Sequence, residues 1–236
     1  MNQETALKKL QDTELEILLV IRDFCRERGI MWLLDSGTVL GAVRHGGFIP
    51  WDDDIDIAMP RADYDRFLEL AAKGLPTGYS LHTFENTPGY AGFFAKVYKD
   101  GTRFETDETR EAGCPQGIFV DVFCWDRAAF DPKELSDQID NARKWQRLSY
   151  LYHSGIITVP HKGLLGAAER LGCQIAHGFV GLGVQDRSEL LRSYEHSVIR
   201  DEDRLSNLVM NLSWTSWPPP FSGNSLPNFF CELRGL

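Results

Sequence analysis

The segment Trp51-Asp52-Asp53-Asp54-Ile55-Asp56-Ile57 sets carboxylates at alternate positions within apolar surroundings. On an extended backbone residues two apart share a face, so Asp54 and Asp56 project together while Ile55 and Ile57 turn toward a core. Paired carboxylates repel, and a divalent cation between them keeps both ionised. An oxygen-only donor set suits Mg²⁺ or Mn²⁺. Charge runs are more often solvated loops, but the acidic and apolar alternation here is that of a half-buried strand. A calcium loop fails on spacing, because its sharp-turn glycine position holds Ile57 and its twelfth position holds Asp63.

Upstream, Ser36-Gly37-Thr38 falls between an apolar run and a helical pattern, where free backbone N–H groups and the positive helix end favour a phosphate. Helix capping alone would also explain Ser36 and Thr38. The conjunction with the carboxylate pair, and with Arg44 and His45 between the two, points to phosphoryl or nucleotidyl chemistry. Arg44 is able to grip a phosphate bidentately, or merely to close a helix C-terminus. Asp121 is a lone acid in the apolar stretch Gly117 to Phe123, costly to bury without a cation and unremarked if it faces water. Lys96, on another apolar run, either neutralises a phosphate or snorkels to the surface. Tryptophans are plentiful, yet core packing accounts for them, and no choline cage is assigned.

Positioning these groups takes several elements. Leu7, Leu10, Ile17, Leu18, Ile21, Phe24 and Cys25 share a helical face, interrupted by Glu14 and stopped by Gly29. Ile30 to Leu34 reads as a strand, Thr38 to Arg44 as a helix, Asp54 to Ile57 as a strand, and Arg61 to Lys73 as a second helix. Further strands are expected over Tyr79 to Phe84, Gly92 to Lys99, Thr102 to Thr106 and Ile118 to Phe123. After Asp131-Pro132 the pattern is helical over Leu135 to Tyr152, Leu164 to Phe179 and Ser188 to Ile199. Ser213 to Leu236, with Pro218-Pro219-Pro220, suits neither helix nor central strand. The fold class is therefore α+β, divided into an α/β core over 1–130, a helical region over 131–208 and an irregular tail over 209–236.

A chain of 236 residues with 43% hydrophobic residues is long enough for a sizeable core, and its net charge of -9 argues against an electrostatic nucleic-acid binder. Five scattered cysteines without a Cys-x-x-Cys pair give neither zinc site nor disulfide framework. No apolar run is long enough for a membrane helix and no signal-peptide core opens the chain, so the expected location is the cytoplasm, with a peripheral place at the inner face of the membrane left open.

Leu34-Asp35-Ser36-Gly37-Thr38-Val39-Leu40-Gly41-Ala42-Val43-Arg44-His45, followed by Gly47-Phe48-Ile49-Pro50-Trp51-Asp52-Asp53-Asp54-Ile55-Asp56-Ile57, closely resembles the LicD family. That resemblance implies a nucleotidyltransferase-like mixed sheet flanked by helices, and Mg²⁺-dependent (or Mn²⁺-dependent) transfer of phosphocholine or a related phospho-alcohol. The donor would be CDP-choline or a similar CDP-alcohol, and the acceptor a sugar of a surface glycan; the fukutin group, which handles ribitol phosphate, is a more distant relative. It puts Ser36 and Gly37 at the turn, with Thr38 beside them, and Asp54 and Asp56 at the metal pair. Asp121 resembles the third carboxylate, which would also help deprotonate the acceptor, and Lys96 lies where the family tends to carry a lysine. The resemblance runs from about Leu15 to about Leu208 and fails beyond, so a truncated or altered C-terminus is expected. Two alternatives stay open: a nucleotidyltransferase that releases pyrophosphate, and a non-catalytic nucleotide-binding homologue.

Overall fold

In the computed structural model, which describes residues 3–157, 159, 161–199, 205–213 and 231–232, the first element is the long helix α1 (Gln3–Arg28). Its inner face buries Ile17, Ile21, Phe24 and Cys25. Gly29 ends it in the left-handed region (φ +62°), and the amide of Ile30 returns to the Cys25 carbonyl at 3.0 Å. That bond satisfies a carbonyl the helix would otherwise leave open.

Two compact units divide the chain. The first comprises Met1–Thr83, Phe94–Glu105 and Gln116–Trp125. After α1 it contains β1 (Leu33–Leu34), α2 (Ser36–His45), β2 (Asp56–Pro60), α3 (Arg61–Ala72), β3 (Tyr79–His82), β4 (Ala95–Lys99) and most of β5 (Phe119–Ala129). The strands lie in the order β1-β2-β5-β4-β3, with β2 and β5 parallel and the other neighbours antiparallel. Strand alternation sends Ile57, Met59, Val97, Val120, Val122 and Cys124 into one core with α1 and α3. There Phe67 of α3 meets Phe24 of α1 edge to face, ring centres 5.9 Å apart; burying each such side chain stabilises by about 1.5–3 kcal/mol. The same alternation leaves Asp56, Lys96 and Asp121 on the other face.

The second unit comprises Phe84–Phe93, Thr106–Pro115 and Asp126–Leu236. Its helices are α4 (Asp107–Glu111), α5 (Pro132–His153), α6 (Gly163–Gly183) and α7 (Ser188–Val198), with α5 packed against α6 and α7. Asp131 caps α5 by accepting from the amides of Lys133 and Glu134, and Pro132 occupies its first turn. The buried Gln138 is fully used: its amide donates to the carbonyls of Arg127 and Val198, and its oxygen accepts from the Ala129 amide. β6 (Leu205–Asn211) pairs antiparallel with β7 (Cys231–Glu232).

The mixed sheet with its helices is the α+β fold expected from the sequence, with local differences. Thr102 to Thr106 is not a strand. The Thr102 hydroxyl donates to the Lys99 carbonyl and accepts from the Ile118 amide, and Thr106 opens α4 in a capping box with Thr109; side-chain bonds have outcompeted strand pairing. β1 is only two residues long, because the Met31 amide bonds the Asp63 carboxylate instead of a strand. β6 begins at Leu205, within the stretch expected to be helical. Pro218 to Pro220 lie outside the described residues.

Candidate active site

Asp56, the first residue of β2, is held from both sides of its backbone by the turn that opens α2. Its amide donates to the Thr38 hydroxyl at 2.8 Å, and its carbonyl accepts from the Asp35 amide at 3.0 Å. Asp35 is the N-cap of α2: one carboxylate oxygen accepts from the Ser36 amide at 2.8 Å and the other from the Trp125 indole at 3.2 Å. Thr38 thus ties turn to strand rather than standing free at the helix end.

Ser36 has φ +49°, the one non-glycine residue in the left-handed region among the described residues. For an L-residue this costs about 1–2 kcal/mol, and strain of this kind gathers at functional turns. At Gly37 a Cβ would lie 3.0 Å from an Asp52 carboxylate oxygen, so the turn and the acidic loop meet closely. At Gly41, one turn on, a Cβ would come within 2.5 Å of the Gly47 carbonyl. Glycine is what lets the Gly47 to Ile49 loop lie against α2 and deliver the Asp52 to Asp54 run to the turn.

Register completes the constellation. Asp121 is the lateral neighbour of Asp56 across the parallel pair and of Lys96 across the antiparallel pair, so the three stand in one row over β2, β5 and β4. The Lys96 ammonium is 2.7 Å from an Asp121 oxygen and 3.2 Å from the centre of the Phe119 ring. Lys96 is 7% exposed and Asp121 8%, so neither is a surface charge. Asp54 lies two residues before Asp56, and the Ile55 carbonyl between them accepts from the Asp121 amide at 2.9 Å, which carries the pairing up to the acidic loop. Arg44 is exposed near the other end of α2, about 12 Å of helix from the turn.

Acidic crowding governs the electrostatics. Burial pushes the Asp56 carboxyl up to about 8, aided by Asp121, Asp54 and Asp35 and opposed by Lys96. Burial likewise raises Asp54 to about 6, with Asp52, Asp121 and Asp53 adding and Lys96 opposing. Asp121 is raised by burial against the pull of Lys96. One participant looked in the sequence like a break in the α1 stripe: Glu14 is 2% exposed, and burial followed by Asp54, Asp53, Asp121 and Asp52 lifts it to about 8. One turn earlier on α1, the Gln11 amide donates to the Asp52 carbonyl at 2.9 Å. The interruption of an otherwise apolar stripe was the only signal for Glu14 in the sequence.

Among the described residues no three Asp, Glu, His or Cys side chains converge enough to cage a metal by themselves. The donor chemistry nevertheless fits Mg²⁺, which is usually held by one or two carboxylates together with water and substrate phosphate. Side-by-side carboxylates with raised pKa values are groups that a hard cation would relieve. A cavity of about 360 Å³ lies elsewhere, lined by Val20, Phe24, Arg28 and Leu75 among others, and includes none of these residues.

The chain's similarities fall on the same region. The family model of the LicD/FKTN/FKRP nucleotidyltransferase domain matches residues 29–149, just over half of the chain. The lipopolysaccharide cholinephosphotransferase LicD of Haemophilus influenzae is 34% identical over 132 residues, which are 56% of this chain and 48% of that protein. Uncharacterized proteins of Rickettsia typhi and Rickettsia prowazekii are 40% and 38% identical over 55 residues, 23% of this chain and 18% and 21% of theirs. The chain thus spans at most about half the length of these relatives. With a clamped turn, a carboxylate row and a family match over residues 29–149, the chain belongs to the LicD family of nucleotidyltransferase-domain proteins.

Proposed function

We propose that this chain moves phosphocholine, or a related phospho-alcohol, from a CDP-linked donor to a sugar hydroxyl of a surface glycan, using Mg²⁺ or Mn²⁺. The carrying observation is the clamp that fixes the strained Ser36-Gly37 turn to Asp56 and so to the Asp56-Asp121-Lys96 row. A phosphate-type turn bonded to a carboxylate pair suits a diphosphate donor. Choline as the transferred alcohol, and lipopolysaccharide as one kind of acceptor, are suggested by the name of the Haemophilus relative.

Asp54, Asp56 and Asp121 would hold the cation, which when bound would neutralise donor phosphate charge. The Ser36 to Thr38 turn would present backbone N–H groups to phosphate oxygens. Lys96 holds the Asp121 carboxylate in place, opposing the rise that burial imposes on it, and contributes the positive charge in the row. Of these carboxylates, Asp121 would help take the proton of the acceptor hydroxyl. The acceptor oxygen forms its bond to the phosphorus bearing the alcohol, the bond from that phosphorus to the CMP oxygen breaks, and CMP leaves with the electron pair. Alignment and charge neutralisation provide the acceleration.

The test is CMP release from CDP-choline and other CDP-alcohols, with a lipopolysaccharide acceptor, with and without Mg²⁺. Metal-dependent release in the wild type and a loss of at least about a hundredfold in Asp54→Asn and Asp56→Asn are expected. Full activity in both variants would remove these carboxylates from the reaction, and release of pyrophosphate from a nucleoside triphosphate in place of CMP would make the chain a nucleotidyltransferase.

A further inference from the structure

A surface helix ordinarily turns its apolar stripe to the core and its polar side to water. Helix α6 in the second unit does the reverse. Its half-buried side carries Glu169 and His177, and His177 donates from Nδ1 to the Leu151 carbonyl of α5 at 2.6 Å. Leu164, Leu165, Leu171, Ile175, Phe179 and Leu182 are all exposed, Leu164 by 92%, Phe179 by 73% and Leu182 by 83%. At about 100° per residue, these six and the small residues between them fill an arc of about 160° that holds no polar side chain. The single acid of α6, Glu169, lies outside that arc and meets the His161 ring at 2.6 Å. Charge changes here as well: Asn141 to Gln185 has five Lys and Arg residues and one acid, in a chain whose net charge is -9. Lys162, just before α6, and Arg170, near the border of the apolar arc, are both exposed.

A contiguous apolar face of this width marks either a protein partner or a lipid surface. Charge separates the two. A second copy paired through a two-fold axis would bring two basic stretches together, whereas an anionic bilayer meets Lys162 and Arg170 with opposite charge. The width of the arc agrees, because a helix-to-helix seam takes a narrow stripe and a bilayer interface takes a whole side. Among the described residues no helix is long and apolar enough to cross a membrane, so α6 would lie along the surface. We propose that α6 docks this chain on an anionic lipid bilayer, with Leu164, Leu171, Ile175, Phe179 and Leu182 among the acyl chains and Lys162 and Arg170 at the headgroups. This concerns the second unit alone and does not depend on the reaction proposed above.

The test is co-sedimentation of the full chain with vesicles of phosphatidylcholine alone and of phosphatidylcholine mixed equally with phosphatidylglycerol. Melting and vesicle-free sedimentation velocity are followed for each protein. The wild type is expected to bind the anionic vesicles, and phosphatidylcholine alone at least about tenfold more weakly. Phe179→Ser combined with Leu182→Ser should melt as the wild type does, since both side chains are exposed, and bind the anionic vesicles at least about tenfold more weakly. Lys162→Gln combined with Arg170→Gln should bind phosphatidylcholine as the wild type does and lose roughly tenfold on the anionic vesicles. Absence of wild-type binding to anionic vesicles would overturn the proposal, and so would undiminished binding after Phe179→Ser with Leu182→Ser, which would put the lipid contact elsewhere. Equal wild-type binding to both kinds of vesicle would overturn the anionic preference and the role of Lys162 and Arg170. A vesicle-free dimer that Phe179→Ser with Leu182→Ser dissociates would give the face to a second copy instead. Should that double variant fail to fold, Leu164→Ser with Leu171→Ser decides: wild-type binding there counts against the proposal.

Discussion

Asp56, Asp54 and Glu14 are each pushed well above the ordinary carboxylate range, to about 8, about 6 and about 8, by burial first and neighbouring carboxylates second. A carboxyl raised in the folded state keeps protons that the unfolded chain has released. Between roughly pH 4 and pH 8 the folded chain therefore binds more protons, and these groups make stability fall as pH rises. His82 and His153, lowered chiefly by burial, act in the opposite sense, because the unfolded chain holds more protons near their ordinary pKa. Metal-free stability alone would mix the two effects, but a cation competes with protons only at the carboxylates. Melting with and without a few millimolar Mg²⁺ should show a stabilisation of several degrees at about pH 8 and much less at about pH 5.5. A Mg²⁺ effect that is equal at both pH values would mean that the cation binds away from these groups.

At the scale of elements, the junction of α2 with β2 is the part on which the site depends. Thr38→Val keeps the shape of the side chain but leaves the Asp56 amide without its acceptor. An expected loss of about 1–3 kcal/mol in urea denaturation follows from the unsatisfied group, together with a fall in CMP release as Asp56 loses its anchor. Thr38→Ser, which retains the hydroxyl, should restore both, and wild-type behaviour in Thr38→Val would show that the clamp is dispensable. The two parts of this junction were legible in the sequence, as the Ser36-Gly37-Thr38 turn and the strand start at Asp54 to Ile57, but the bonds of Asp35 and Thr38 to Asp56 that join them were not, because the Thr38 bond spans 18 positions. The row Asp56-Asp121-Lys96 was only half legible. Strand alternation announced which residues share a face, but the order β2-β5-β4 joins segments far apart in the chain, and no spacing encodes that adjacency. Glu14 acquires its significance from tertiary neighbours alone, so on a helical wheel it resembled a flaw. Thr102 to Thr106 failed as a strand for the reverse reason, since local hydroxyl bonding overrode β-branched propensity.

At the scale of the whole molecule, a net charge of -9 surrounds a site already rich in carboxylates, with Lys96 as the cation set in the Asp56-Asp121 row. Among the described residues no helix is long and apolar enough to cross a membrane, and a diphosphate donor of the proposed kind would meet this acidic field. A diphosphate near Asp52, Asp54 and Asp56 is repelled unless a divalent cation reverses the local charge, and the long-range part of that repulsion is screened by salt. Cation and donor should therefore bind in an obligate partnership. A titration of CDP-choline into the wild type is expected to show binding at least about tenfold tighter with Mg²⁺ than with chelator, a coupling of about 1.4 kcal/mol or more. By reciprocity, saturating CDP-choline should tighten Mg²⁺ by the same factor. Raising salt from about 50 to 300 mM should weaken cation binding, through loss of the attraction of the acidic surface, while leaving the coupling between cation and donor largely in place. Donor affinity that is the same with and without Mg²⁺ would place the diphosphate on Arg44 or another exposed cation rather than at the carboxylate row, and would separate the turn at Ser36 from the chemistry attributed to it.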